Sequence, residues 1–231
     1  MRVYLQQDSS AHTFSQQLLD IGNGQIPIDP ATNEISFSQD FCQMQSNIQA
    51  VVDKVFPNLT INYKNSNWLY EPAILAPKND DVNKLNDQIQ LKLPGEEINY
   101  KSIDTVMDEE QAVDYPVEFL NSLEPPGMPP HILKLKIGSP IMLIRNLNAP
   151  KLCNGTRLII KKLLPNLIEA TIIGGKFKGE DVLIPRTPMF SNNLPFEFKR
   201  LQFSVRLAFA ITINKAQGQS LTIAGLMGIA G

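Results

Sequence analysis

Near its C-terminus the sequence runs FAITINKAQGQSL from Phe209 to Leu221, bringing hydroxyl, amide and ammonium side chains together around Gly218. Thr212, Asn214, Lys215, Gln217, Gln219 and Ser220 all fall in this stretch, directly after the apolar, β-rich run of Leu201 to Ala208. That is the pattern of a buried strand handing polar side chains to the edge of a sheet, where open α/β proteins keep their ligands. The alternative is a core strand that ends in an ordinary polar turn.

Other residue types with chemical potential are scattered. The two cysteines, Cys42 and Cys153, have no CxxC spacing, so they read as buried free thiols rather than zinc ligands or a disulfide. The two histidines, His12 and His131, are isolated, whereas a structural zinc site wants four clustered N or S ligands, so no metal site is expected. Gly174-Gly175-Lys176-Phe177 reads as a hairpin turn, not as the GxxxxGKS/T loop that cradles phosphate at a helix start. Asp108-Glu109-Glu110-Gln111 looks like the DExx box of nucleotide hydrolases. It is rejected, because Ser102, Asp104 and Thr105 interrupt any strand before it and no phosphate loop precedes it. A hydrolase built on paired carboxylates there would also have no companion base.

The elements that must position the C-terminal stretch can be read from periodicity. Ser15 to Leu19 is a short helical candidate, followed by a turn at Asp20–Gly24. Ser46 caps a helix carrying Ile48, Val51, Val52 and Val55 on one face, stopped by Pro57. Ala73–Ala76 is a short apolar strand broken by Pro77, and Asn79 caps a helix with Val82, Leu85 and Ile89 on one side. Strand, turn and helix make the repeating unit of a parallel α/β sheet, and Lys78 and Asn79 stand at a helix N-terminus, where an anion or a solvated cap would sit. Residues 93–130 read as an irregular acidic connector, with nine acids against one base, Lys101, and with Pro125-Pro126 and Pro129-Pro130 near its end. From Ile132 short strands follow with tight turns at Asn154-Gly155 and Gly174-Gly175, which predicts a small β-barrel.

TINKAQGQSL resembles the fifth conserved motif of superfamily-one helicases, in the version of the Pif family and of Helitron-transposon helicases. Gly127–Leu158 (GMPPHILKLKIGSPIMLIRNLNAPKLCNGTRL) is similar to a segment of the same family, as more weakly are Ala73–Ile89 and the opening Met1-Arg2-Val3. The resemblance implies an α/β fold: part of a second RecA-like motor domain with parallel strands (1–92), the connector (93–130), an inserted all-β barrel (131–200), and a return to the motor (201–231). It further implies that Thr212 and Asn214 contact the phosphates of a tracked single strand, with Lys78 and Asn79 beside them. Lys215, Gln217, Gly218 and Gln219 would couple that contact to a nucleotide cleft, and Arg2 would reach a γ-phosphate. Asn214 departs from the histidine many relatives carry, and Arg2 alternatively belongs to a terminus without contacts.

Family members move 5′ to 3′ on single-stranded DNA with ATP and Mg2+, so an ATP-dependent DNA helicase of repair, recombination or transposon replication is implied. Neither phosphate loop, acid box nor later arginine motif is found in the sequence, so the chain is expected to be a truncated piece. It should bind no nucleotide tightly and hydrolyse no ATP without the first motor domain. Two other readings stand beside this: a non-enzymatic module that binds single-stranded DNA or a protein partner, and a fragment that folds poorly alone.

Composition is compatible with each. The chain has 231 residues, 43% hydrophobic and 19% charged, enough for one or two domains with real cores. A formal charge of -2 argues against gripping duplex DNA by charge alone, but a single-strand groove combines limited charge with stacking. No apolar run approaches the roughly 20 residues that span a bilayer, and the start shows no signal-peptide pattern. An intracellular, nuclear protein without membrane contact is expected.

Overall fold

The computed structural model describes residues 9–31, 33, 35, 37, 41–108, 114–191, 193–219 and 221–227. The chain divides into two compact units, Met1–Asn47 and Ile48–Gly231. In the first, helix α1 (Ser9–Gly22) extends the expected helical core at both ends. Phe41 stacks on Phe14 and on Phe37, with ring centroids 5.7 and 5.4 Å apart.

The second unit begins with α2 (Ile48–Val55), α3 (Leu59–Asn62) and α4 (Ser66–Tyr70), then β1 (Pro72–Ala76) and α5 (Asn79–Leu91). After α5 come β2 (Ile98–Lys101), β3 (Ile103–Val106), α6 (Val117–Ser122), β4 (Ile132–Leu135), β5 (Pro140–Leu143), β6 (Arg157–Leu164), β7 (Leu167–Ile172), β8 (Asp181–Ser191), β9 (Phe198–Phe203) and β10 (Val205–Leu207). The chain then returns through β11 (Ala210–Thr212), α7 (Ile213–Ala216) and β12 (Ile223–Leu226).

β1, β11 and β12 form a parallel sheet with β1 in the middle. A strand flanked on both sides and packed on both faces must be apolar throughout, and PAILA meets that demand. One face, with Ile74, Ala76 and Ala210, packs on Val52, Val55 and Phe56 around α2 and on Val82, Leu85 and Ile89 of α5. These are the apolar stripes that the helical periodicity marked. On the other face Ala73 and Ile211 meet Met142, Ala216 and Leu221.

Between α5 and β11 lies a seven-stranded antiparallel sheet of order β10-β5-β6-β7-β8-β9-β3, with the pair β2–β4 beside it. Among the described residues the pairing shows no closed barrel where one is expected: the hydrogen-bonded order has two ends, β10 and β3. The sheet curls instead through the chain, since only Ser204 separates β9 from β10. Its carbonyl accepts the Ile144 N–H at 3.0 Å, while its hydroxyl meets Thr187 of β8.

The acidic stretch expected to be an irregular connector carries β2, β3 and α6. Ser102 does separate β2 from β3, but Asp104 and Thr105 do not interrupt β3, because Asp104 and Val106 alternate inward and Ile103 and Thr105 outward. The buried Asp104 is held by Arg200 of β9, whose Nε and Nη2 donate to its two oxygens at 2.9 and 2.7 Å. The turns are also wider than their glycines suggest. Asn154-Gly155 ends a long loop between β5 and β6, which is pinned by Asn148 pairing with Leu152; Gly174-Gly175 begins the loop between β7 and β8. Cys42 and Cys153 are free but half-exposed rather than buried. Among the described residues no helix is long and apolar enough to cross a membrane.

Candidate functional site

The register of the parallel sheet builds the site. Ala76 lies beside Thr212, so β1 and β11 end at the same level, and the segments that leave them, Pro77–Asn79 and Ile213–Ala216, emerge from one carboxyl edge. This is the edge at which open parallel sheets bind ligands. Lys78, Asn79, Asn214, Lys215 and Gln217 are exposed there, with Thr212 half-exposed.

Two details differ from the sequence reading. Lys78, not Asn79, occupies the cap position of α5, in extended conformation and without a side-chain cap bond; Asn79 is the first helical residue. The first turn also carries Asp80 and Asp81, which satisfy the positive end of the helix dipole. The groups available to an anion are therefore the Lys78 ammonium and the Asn79 amide rather than the helix end itself.

Thr212 caps the single turn α7 without a side-chain bond of its own to the helix. Gly218 then takes φ 82, a left-handed conformation that glycine adopts without steric cost, and Gln219 closes the turn with its N–H on the Ala216 carbonyl at 2.9 Å. Two side chains of this turn reach the loop between β5 and β6. Lys215 Nζ donates to Asn154 Oδ1 and Gln219 Nε2 to the Gly155 carbonyl, each at 3.2 Å. The structure thus brings together Lys78, Asn79, Thr212, Asn214, Lys215, Gln217, Gly218 and Gln219. Arg2 and Ser220 lie outside the described residues, as do Glu109 and Glu110.

Two positioning residues were not singled out from sequence. Asn86 of α5 is buried, and its side chain both donates to the Ala210 carbonyl at 2.9 Å and accepts the Ala210 N–H at 2.8 Å. It occupies the hydrogen-bonding edge of β11 that no strand among the described residues fills. The signal was present: Asn86 shares the face of Val82 and Ile89, a polar residue in an apolar stripe. Arg157, the first residue of β6, reaches across to the base of β1, donating to the carbonyls of Tyr70 (3.0 Å), Leu69 (3.2 Å) and Pro72 (3.2 Å). Burial pulls its pKa down to about 10, which leaves it charged at neutral pH.

Metal-ligating and glycine-rich stretches are apart from this edge. The described residues contain no group of three His, Cys, Asp or Glu placed to hold a metal ion, and Gly174-Gly175 lies between β7 and β8 instead of opening a helix. His131 sits in a separate polar cluster, its Nδ1 2.8 Å from Ser102 Oγ, which in turn donates to Asp104 at 2.7 Å.

Comparison with known proteins agrees with the motifs. Residues 118–163, running from α6 into β6, match the family described as DNA helicase Pif1, 2B domain. Over 148 residues, 64% of this chain, the sequence is 28% identical to the ATP-dependent DNA helicase PIF1 of Xenopus laevis and 26% identical to that of Danio rerio. Each match spans 22% of the relative, about a fifth of its length. The fold is similar to that of Pif1 helicase from Candida albicans, with a TM-score of 0.50 and 20% identity over 75% of this chain and 47% of that one. It is also similar to Pif1 helicase from Bacteroides in complex with ADP-AlF3 and ssDNA, with a TM-score of 0.50 and 18% identity over 83% of this chain and 46% of the other. The resemblance read from the motifs is therefore borne out in sequence and in a mixed α/β fold with a parallel sheet.

Proposed function

We propose, from this likeness to Pif1-family helicases, that the chain supplies the second motor domain and inserted β domain of an ATP-dependent helicase that tracks 5′ to 3′ on single-stranded DNA. The observation that carries the proposal is the register of Ala76 with Thr212, which puts the ends of β1 and β11 at one exposed carboxyl edge. Thr212 and Asn214 offer a hydroxyl and an amide to phosphate oxygens, and Lys78 and Asn79 extend the contact by an ammonium and a second amide. Lys215, Gln217, Gly218 and Gln219 form the turn that passes a change at the strand to a nucleotide cleft shared with a first motor domain. That first domain, on this reading, holds the triphosphate and Mg2+, and Arg2 reaches across to the γ-phosphate. The setting is DNA repair, recombination or transposon replication inside the nucleus.

The test is titration of the purified chain with a fluorescent oligothymidylate at several salt concentrations. Binding should weaken linearly on a log–log scale, with a slope of about -0.7 per phosphate contacted. Thr212→Ala and Asn214→Ala should each lower affinity about three- to tenfold, the loss of one solvent-exposed hydrogen bond with a net worth of about 0.5–1.5 kcal/mol. No ATP turnover should accompany binding. Turnover by the chain alone would contradict the assignment of the nucleotide to a first motor domain, and salt-independent binding would contradict the phosphate contact.

A further inference from the structure

The turn between β11 and β12 does not stand by its own hydrogen bonds alone. Its two reaching side chains, Lys215 at one end and Gln219 at the other, both land on consecutive residues of the inserted sheet, Asn154 and Gly155, each at 3.2 Å. The receiving loop is itself braced. The Asn154 N–H is held by Asn146 Oδ1 at 2.7 Å, the Gly155 N–H by the Leu143 carbonyl at 2.8 Å, and the Cys153 N–H by Thr156 Oγ1 at 3.1 Å. Gly155 takes φ 88, which turns its carbonyl toward Gln219 in a conformation that side chains disfavour. The same strand pair is riveted to the base of the parallel sheet by Arg157.

We infer that Asn154 and Gly155 form a latch, through which the inserted sheet sets the conformation of the 213–219 turn. Asn154 is thus a positioning residue: it fixes Lys215 so that the exposed Asn214, immediately before it, and the exposed Gln217, between the two latched side chains, keep one presentation toward a ligand. Displacing the loop between β5 and β6 releases both ends of the turn at once, so a ligand that moves the inserted sheet changes the edge of the parallel sheet without touching it. The value of the latch for nucleic-acid contact rests on the function proposed above; its mechanics do not.

The test uses the full chain and two readouts. The first is amide hydrogen exchange without nucleic acid. Asn154→Ala should speed exchange of the 213–219 amides several-fold and leave β7 and β8 unchanged. Lys215→Ala should do the same, and the double variant should be no faster than either single one, because both remove one contact. Asn154→Asp, which keeps an acceptor for the ammonium, should restore slow exchange. The second readout is oligothymidylate affinity, which Asn154→Ala should weaken about threefold. Additive effects of the two single variants, or exchange that Asn154→Ala leaves unchanged, would overturn the latch even if Asn214→Ala abolishes binding. Coupled exchange with no oligothymidylate binding at all would uphold the latch and refute the proposed function instead.

Discussion

The two sheets of the second unit treat polar side chains in opposite ways. In the seven-stranded antiparallel sheet the central polar group turns inward and finds partners: Arg200 is fully buried, paired with Asp104, and also donates to the Pro129, Leu120 and Leu123 carbonyls. The strands of the three-stranded parallel sheet are apolar, their backbone braced by the buried Asn86 of α5 and Arg157 of β6, and the polar groups that follow them gather at the carboxyl edge, where Asn214 and Gln217 are exposed. A buried, hydrogen-bonded group such as Arg200 serves one geometry; exposed groups at a sheet edge are available to something else. The first sheet is organised to hold its shape, the second to present a surface.

That contrast can be broken at several points. The largest effect belongs to Arg200. Replacing it with Ala leaves the Asp104 carboxylate buried without its cation, which should cost about 3–5 kcal/mol and appear as a large drop in the urea midpoint of the chain. A midpoint close to that of the parent would mean that the antiparallel sheet does not depend on the pair.

Asn86→Ala should cost less, about 1–3 kcal/mol, because it strips the N–H and carbonyl of Ala210 of their partners at the open edge of β11. Unlike Arg200→Ala, it should also reduce oligothymidylate binding under conditions where the chain remains folded, since β11 carries Thr212. Equal losses of binding for the two variants at matched stability would erase the distinction between the sheets.

The smallest effect is a pH dependence from His131. Desolvation lowers its pKa below the ordinary value of 6.5; Asp104 opposes this, while Arg200 and Lys101 reinforce it. The unfolded chain therefore takes up the proton first as pH falls, and the contribution to stability present above about pH 6.5 is lost below it. Unfolding midpoints measured from about pH 8 to about pH 5.5 should decline, and His131→Gln should flatten the part of the slope due to this residue.

Much of the parallel sheet was legible in the sequence, because its signals are local. PAILA followed by Pro77 and by the stripe of Val82, Leu85 and Ile89 gives strand and helix from adjacent residues, and Leu201 to Thr212 marks the strands leading to the polar turn. The site residues were legible as a cluster, but not the register of Ala76 with Thr212 that gives them a common edge, since those residues are far apart in sequence. The antiparallel region was less legible for the same physical reason. Asp104 looks like a strand breaker until Arg200, 96 residues later, supplies its partner, and the return of the sheet on itself depends on where Ser204 meets both Ile144 and Thr187. The positions of Asn79 and of the two glycine turns shifted because caps and loops are decided by backbone bonds that sequence does not display.

On the proposed function, the carboxyl edge of the parallel sheet, and not the inserted sheet, meets the strand. The most direct measurement is an oligothymidylate titration comparing the double variant Thr212→Ala/Asn214→Ala with Lys161→Ala/Lys162→Ala on the exposed side of β6. If that edge meets the strand, the first pair weakens binding about tenfold or more and the second leaves affinity near that of the parent. Unchanged affinity for the edge variant, with loss of binding in the lysine variant, would contradict it.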